Sequence, residues 1–105
     1  MLLLVETDNE RTIDTHVGDT ARITLPENAT TGYRWAIERY DNHFIKALAT
    51  EPRYTSDALG SGGEIAFTFE ARKVGSGEIV LKQWKFWEGD SSVIARFRIR
   101  LNVRP

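Results

Sequence analysis

Apolar and polar residues alternate with a period of two along most of this chain. In Glu64–Arg72 and in Arg96–Arg104, every second side chain is apolar. Because successive side chains of a strand point to opposite faces, each segment predicts a β-strand with one buried side. Similar but shorter or weaker alternation predicts further strands at residues 1–5, 13–17, 20–25, 33–38 and 77–83. His43–Ala49 suits either a strand or a helical turn.

Turn-forming residues separate these segments. Glycine, asparagine and aspartate recur at roughly the 8–12-residue spacing of an all-β sandwich. No amphipathic segment of 10–15 residues separates the strands, which argues against a parallel α/β fold. The pattern therefore predicts an immunoglobulin-like antiparallel β-sandwich of about seven to eight strands, formed by one domain over residues 1–105. Trp35 occupies the position of the core tryptophan of such a fold.

Composition excludes several classes of function. The 14 Lys and Arg residues against 15 Asp and Glu leave a net charge of −1, so no nucleic-acid partner is expected. The chain has no cysteine, which excludes a disulfide scaffold, a thiol nucleophile and thiolate-bound zinc. No segment approaches the roughly 20 apolar residues of a membrane span, and no signal segment is present, so no membrane partner is expected. A periplasmic or secreted location would require that a signal peptide had been removed.

The residues that could carry catalysis form no recognisable constellation. His16 and His43 are the only histidines, and we expect both to be surface or structural residues. Gly60-Ser61-Gly62-Gly63 lacks the following Lys-Ser/Thr of a phosphate-binding loop, and no Gly-x-Ser-x-Gly elbow occurs. We therefore expect no enzyme activity, no metal site and no cofactor. The arginines at 96, 98, 100 and 104 are expected to form the solvated face of a strand.

Three segments are unusual for a plain sandwich. A polar loop at Asn28–Tyr33 runs directly into an aromatic strand, Gly60–Gly63 leaves backbone groups accessible, and Trp84–Trp87 holds three bulky rings in four positions. At most two of those rings fit the core face of one strand, so at least one is expected to project. In such a sandwich, the loops between the second and third, fourth and fifth, and sixth and seventh strands lie together at one end, and the three segments fit those loops in order. The three segments together predict a binding tip.

These segments resemble the signature loops of the chagasin family, protein inhibitors of papain-like cysteine peptidases. The family's loops read Asn-Pro-Thr-Thr-Gly-Tyr/Phe, Gly-x-Gly-Gly and Arg-Pro-Trp/Phe, and their order and spacing match from about residue 12 to 103. The matching residues are Asn28-Ala29-Thr30-Thr31-Gly32-Tyr33, Gly60-Ser61-Gly62-Gly63 and Lys85-Phe86-Trp87.

The resemblance implies a reversible, competitive and noncovalent inhibitor whose partner is a cathepsin-like, papain-like peptidase. It implies that Thr30 and Thr31 lie over the catalytic cysteine–histidine pair. Gly60–Gly63 would pair main chain to main chain on the nonprimed side of the cleft. Trp87, with Lys85 beside it, would pack on the primed side. The inhibitor is expected to be a monomer.

Two departures from the family pattern affect these expectations. Ala29 stands where the family has proline, so the first loop lacks one φ restraint. Lys85 and Phe86 replace arginine and proline, and lysine cannot reproduce arginine's planar set of donors. Affinity or peptidase preference is therefore expected to differ from that of typical members.

A second interpretation belongs to another class. Trp84, Phe86 and Trp87 could form a sugar-stacking platform on a carbohydrate-binding or adhesion module. Inhibition of papain and a glycan-binding screen distinguish the two interpretations.

Overall fold

The structure, a computed structural model, describes residues 1–28, 31–54 and 63–105. Strands dominate these residues, and short 3-10 turns occur at Glu6–Asp8 and Asp90–Ser92. The all-β prediction is confirmed. The strands are β1 (Leu2–Leu4), β2 (Thr12–His16), β3 (Thr20–Glu27), β4 (Arg34–Tyr40), β5 (Ile45–Tyr54), β6 (Gly63–Ala71), β7 (Gly75–Trp84) and β8 (Ala95–Arg104).

The eight strands form two four-stranded sheets. The first sheet has the order β1-β3-β6-β5 and the second the order β2-β8-β7-β4. Pairing is antiparallel except at two edges, where β1 lies parallel to β3 and β2 lies parallel to β8. The alternation could not reveal these parallel pairs, because the pleat is the same in both orientations and the partner depends on how the chain crosses between sheets. The uncertain segment at 43–49 enters a strand at Ile45.

The core lies between the sheets and contains the apolar positions of the alternating pattern. Fully burying each large apolar side chain stabilises the fold by roughly 1.5–3 kcal/mol relative to leaving it exposed. Trp35 is buried, as predicted from its position. The largest of the fully buried apolar side chains are Ile23, Leu25, Ile45, Phe67, Phe69, Ile79, Leu81, Phe97, Ile99 and Leu101.

The predicted arginine row lies on the outer face of β8. All four arginines are exposed, and carboxylates lie beside them: Arg96 donates to Glu38 at 2.8 Å and Arg98 to Glu10 at 2.7 Å. Exposed pairs of this kind contribute little to stability, so the row is a solvated face, as expected.

The connections between β3 and β4, β5 and β6, and β7 and β8 all start and finish at the same end of the sandwich. Gly63, the first residue of β6, is paired with Glu27 at the end of β3 and with Tyr54 at the end of β5. In the other sheet, β4 begins opposite Trp84, the last residue of β7. The three segments singled out in the sequence therefore all leave the sandwich at one end. We call them the first, second and third loops (residues 28–33, 55–62 and 85–94).

Candidate functional site

The base of the first loop is closed by hydrogen bonds between the two sheets. Glu27 ends β3 with only 2% of its surface exposed, and its Oε1 accepts the backbone N–H of Trp35 at 2.6 Å. The Trp35 indole N–H donates to the carbonyl oxygen of Pro26 at 3.0 Å. Both bonds join β3 of one sheet to β4 of the other. They hold the two ends of the first loop together.

The described part of the first loop is folded on itself. The backbone N–H and the hydroxyl of Thr31 both donate to the carbonyl oxygen of Asn28, at 3.3 and 2.9 Å. The Tyr33 N–H in turn donates to the Thr31 hydroxyl at 3.3 Å. Gly32 has a φ of 81°, a conformation that favours glycine. Ala29 and Thr30 lie outside the described residues.

The third loop presents two exposed aromatic rings. Phe86 is 71% exposed and Trp87 60% exposed, and their rings pack edge to face with centroids 5.1 Å apart. Trp84 is only half-buried, and Lys82 Nζ lies 3.6 Å from the centre of its ring. The prediction that at least one ring projects is confirmed. The Phe86 and Trp87 planes meet at 88°, so these two rings do not lie in one plane.

The first and third loops contact each other directly. A Cβ atom added to Gly32 would lie 3.1 Å from Cη2 of Trp87, so the absence of a side chain lets the indole ring pack on the loop. Lys85 Nζ lies 4.7 Å from the centre of the Tyr33 ring and 3.7 Å from the Glu88 carboxylate. These contacts combine a cation–π interaction with an ion pair. The two loops therefore form one continuous surface.

The glycine motif of the second loop is largely outside the described residues, which omit Gly60, Ser61 and Gly62. Gly63 is described and begins β6. Its pairing with Glu27 and Tyr54 brings both ends of the second loop to the end of the sandwich that carries the other two loops.

Glu27 is a positioning residue that the sequence analysis missed. It continues the inward-facing row of Ala21, Ile23 and Leu25, so extending the alternation by one step would have placed a carboxylate inside. A buried carboxylate needs a hydrogen-bond partner, and the start of β4 supplies one.

The described residues form no second candidate site around the histidines or other possible metal ligands. Both His16 and His43 are exposed, as predicted. Within residues 1–28, 31–54 and 63–105, no group of three or more His, Cys, Asp or Glu side chains is arranged to hold a metal ion. Over the same ranges, no helix has the length and apolar character needed to span a membrane.

Comparison with known families identifies the class of protein. Residues 14–101 match the model of the family described as Chagasin family peptidase inhibitor I42. This match covers most of the chain and includes all three loops. The chain belongs to the chagasin family of peptidase inhibitors, a family of inhibitors and not of enzymes.

Individual relatives agree with this assignment. The chain is 29% identical over 100 residues to chagasin of Trypanosoma cruzi, covering 90% of this chain and 91% of chagasin. It is similar in fold to the cysteine protease inhibitor EhICP2 from Entamoeba histolytica, with a TM-score of 0.82, 23% identity and coverage of 98% and 95% of the two chains. It is also similar in fold to PbICP-C, solved in complex with falcipain-2 (TM-score 0.71, 20% identity, coverage of 99% and 100%).

The bond between Glu27 and Trp35 yields a test of the loop base. Glu27→Ala removes the acceptor of a buried N–H, and we expect the free energy of unfolding to fall by about 1–3 kcal/mol. Glu27→Gln keeps a side-chain oxygen at the same position and should cost less. Urea unfolding of the three proteins measures the difference. Equal losses for the two variants would show that the hydrogen bond to Trp35 is not the relevant interaction.

Proposed function

We propose that this protein inhibits papain-like cysteine peptidases of the cathepsin type by filling their active-site cleft with the three loops. Inhibition is reversible, competitive and noncovalent, and residues 1–105 act as one inhibitor domain in monomeric form. The observation that carries the proposal is the continuous surface of the first and third loops, on which Phe86 and Trp87 project from one end of a rigid sandwich. The complex of PbICP-C, which has the same fold, with falcipain-2 supports the choice of target.

Phe86 and Trp87 are the proposed anchors. Large aromatic side chains that lie exposed in the free protein gain free energy when a partner removes them from water. Their edge-to-face packing, and the contact of Trp87 with Gly32, place both rings before binding. The entropy lost on ordering them in the complex is correspondingly small.

The first loop is proposed to cover the catalytic cysteine–histidine pair through Thr30, Thr31 and Gly32. Its bonds from Thr31 back to Asn28 keep the described part of the loop turned on itself, whereas a bound substrate segment is extended. A turned backbone blocks the cleft without offering a peptide bond for attack. The chain contains no cysteine that could form a disulfide with the peptidase. Inhibition without a covalent bond follows from both features.

The second loop is proposed to lie along the nonprimed side of the cleft. Gly60, Gly62 and Gly63 have no side chains, so their backbone can approach that of the peptidase closely enough for main-chain pairing. The positions of Glu27, Tyr54 and Gly63 at the loop end of the sandwich support this proposal, because they bring the residues that flank the second loop next to the start of the first.

Lys85 and Phe86 are the positions at which we expect this inhibitor to differ in selectivity. Lys85 is engaged with Tyr33 and Glu88 within the tip, so less of its charge is free for the peptidase. Phe86 adds an exposed apolar ring next to Trp87. We therefore expect a preference for peptidases whose primed side is apolar or aromatic.

The anchor role of the rings is tested by truncation. Trp87→Ala should weaken inhibition of papain by roughly 30- to 900-fold, which corresponds to about 2–4 kcal/mol, and Phe86→Ala by a smaller factor. Because both rings are exposed, neither change should lower the thermal unfolding temperature appreciably. Inhibition constants measured with a fluorogenic peptide substrate give the factors.

Val74→Ala is the matched control, since Val74 is an exposed apolar residue in the β6–β7 turn at the opposite end of the sandwich. It should leave inhibition unchanged. An unaltered inhibition constant for Trp87→Ala, or an equal loss for Val74→Ala, would contradict the proposed site.

The second loop is tested by adding bulk. In Gly62→Val, a branched side chain should block main-chain pairing and raise the inhibition constant at least about tenfold. Ser61→Ala, which adds no bulk in the same motif, is the control and should raise the inhibition constant by a much smaller factor. Full inhibition by a folded Gly62→Val protein would remove this loop from the interface.

A further inference from the structure

We propose that Ser92 is a positioning residue for inhibition, whose hydroxyl holds the third loop in the shape that binds the peptidase. Ser92 lies in the third loop but outside the family motif Lys85-Phe86-Trp87, and it follows Trp87 by five positions. The inference rests on the proposed function, because it concerns how the aromatic anchors are presented. It assigns Ser92 no contact with the peptidase.

The Ser92 side chain bonds to two residues of the third loop, Lys85 and Gly89. Its Oγ accepts the Lys85 backbone N–H at 3.0 Å and lies 3.0 Å from the Lys85 carbonyl oxygen and 2.7 Å from that of Gly89. A hydroxyl has one proton, so it donates to one of these carbonyls at a time while it accepts from the amide. The Ser92 backbone N–H adds a bond to the Gly89 oxygen at 3.0 Å.

These bonds fix both ends of the segment that carries the anchors. Lys85 follows the last residue of β7, and Gly89, with a φ of 75°, is the turn that leads toward β8. Phe86 and Trp87 lie between these two tethered residues. Within the segment, the Glu88 N–H donates to the Lys85 oxygen at 2.9 Å and closes the turn. One half-buried hydroxyl therefore links the two ends of the segment that carries the exposed rings.

The neighbouring serine makes a matched comparison. Ser91 Oγ lies 3.3 Å from the Glu88 carbonyl oxygen and makes no other side-chain hydrogen bond within the described ranges. Ser91 is exposed, whereas Ser92 is half-buried. The two residues share side-chain chemistry and location, and only Ser92 connects to Lys85.

A positioning role has a kinetic signature. If the loop without the Ser92 hydroxyl spends only a fraction of its time in the binding shape, the apparent affinity falls to that fraction of its original value. The association rate constant then falls, because only the molecules in the binding shape can associate. The dissociation rate constant stays the same, because the contacts between inhibitor and peptidase in the complex are unchanged. Loss of a direct contact would instead accelerate dissociation.

The experiment compares Ser92→Ala, Ser91→Ala and Ser92→Thr with the unmodified protein in progress-curve kinetics against papain. We expect Ser92→Ala to slow association about tenfold and to raise the inhibition constant by the same factor, with dissociation unchanged. Ser91→Ala removes a hydroxyl that does not bond to Lys85, so it should slow association by a much smaller factor than Ser92→Ala. Ser92→Thr, which restores a hydroxyl, should recover most of the association rate.

Three outcomes would overturn the inference. They are an unchanged association rate for Ser92→Ala, an effect seen only in dissociation, and an equal effect of Ser91→Ala. These outcomes are separable from failure of the proposed function, which Trp87→Ala reports. If Trp87→Ala weakens inhibition as expected while Ser92→Ala leaves the association rate unchanged, the anchor role of the rings stands and only the role of Ser92 is contradicted.

Hydrogen exchange in the unmodified protein gives a test that needs no variant to fold. The Lys85 amide donates to Ser92, whereas the amides of Phe86 and Trp87 donate to no acceptor among the described residues. We expect the Lys85 amide to exchange at least about tenfold more slowly than these two after correction for intrinsic rates. Exchange at a common rate would show that the Ser92 bond does not hold the loop and would overturn the proposal.

Discussion

The loop end of this sandwich depends on the buried link between β3 and β4. A carboxylate with almost no exposure is unfavourable inside a protein unless its oxygens are hydrogen-bonded, and Glu27 meets that requirement with the N–H of Trp35. The indole of Trp35 returns a bond to Pro26 while its ring fills the core between the sheets. The two sheets are therefore tied together at the point where the first loop leaves them. Since the first residue of β6 pairs with the same end of β3, the second loop rejoins the sandwich next to this link.

Because the two sheets are linked at this end, exposed aromatic side chains there can be held ready to bind a partner. The rings of Phe86 and Trp87 remain in water in the free protein, and their orientation comes from contacts with Gly32, with each other and with the bonded turn beneath them. Binding then requires little reordering, so more of the free energy of burial is available for affinity. This arrangement accounts for an inhibitor of 105 residues that needs neither a reactive group nor a disulfide.

Side-chain periodicity was sufficient to predict most of the strands, because burial of one face imposes alternation directly on the sequence. Ile65, Phe67 and Phe69 illustrate this relation. The parallel pairs at the sheet edges were not predictable in this way, since the alternation is the same for parallel and antiparallel strands. Glu27 and Ser92 were missed for a related reason. The role of a polar residue depends on which distant group it meets in the folded chain, and spacing along the sequence does not encode that partner.

The motif residues were predictable as a set, although not in their contacts. Gly32 of the first loop lies against the side chains of Lys85 and Trp87 of the third loop. This contact joins two loops, so the sequence of neither loop alone predicts it. The binding role of the motifs stays a prediction, and for Ala29, Thr30 and Gly60–Gly62 it rests on the sequence.

The central claim is that the loop end of the sandwich enters the peptidase cleft. The most direct test is backbone and indole NMR of the labelled inhibitor, recorded with and without papain whose catalytic cysteine is replaced by alanine. The account predicts that signals of Thr31–Tyr33 and Lys85–Trp87 shift strongly, while those of the turns at residues 17–19 and 72–74 stay in place. Shifts centred on those opposite turns, or on the arginine face of β8, would contradict it.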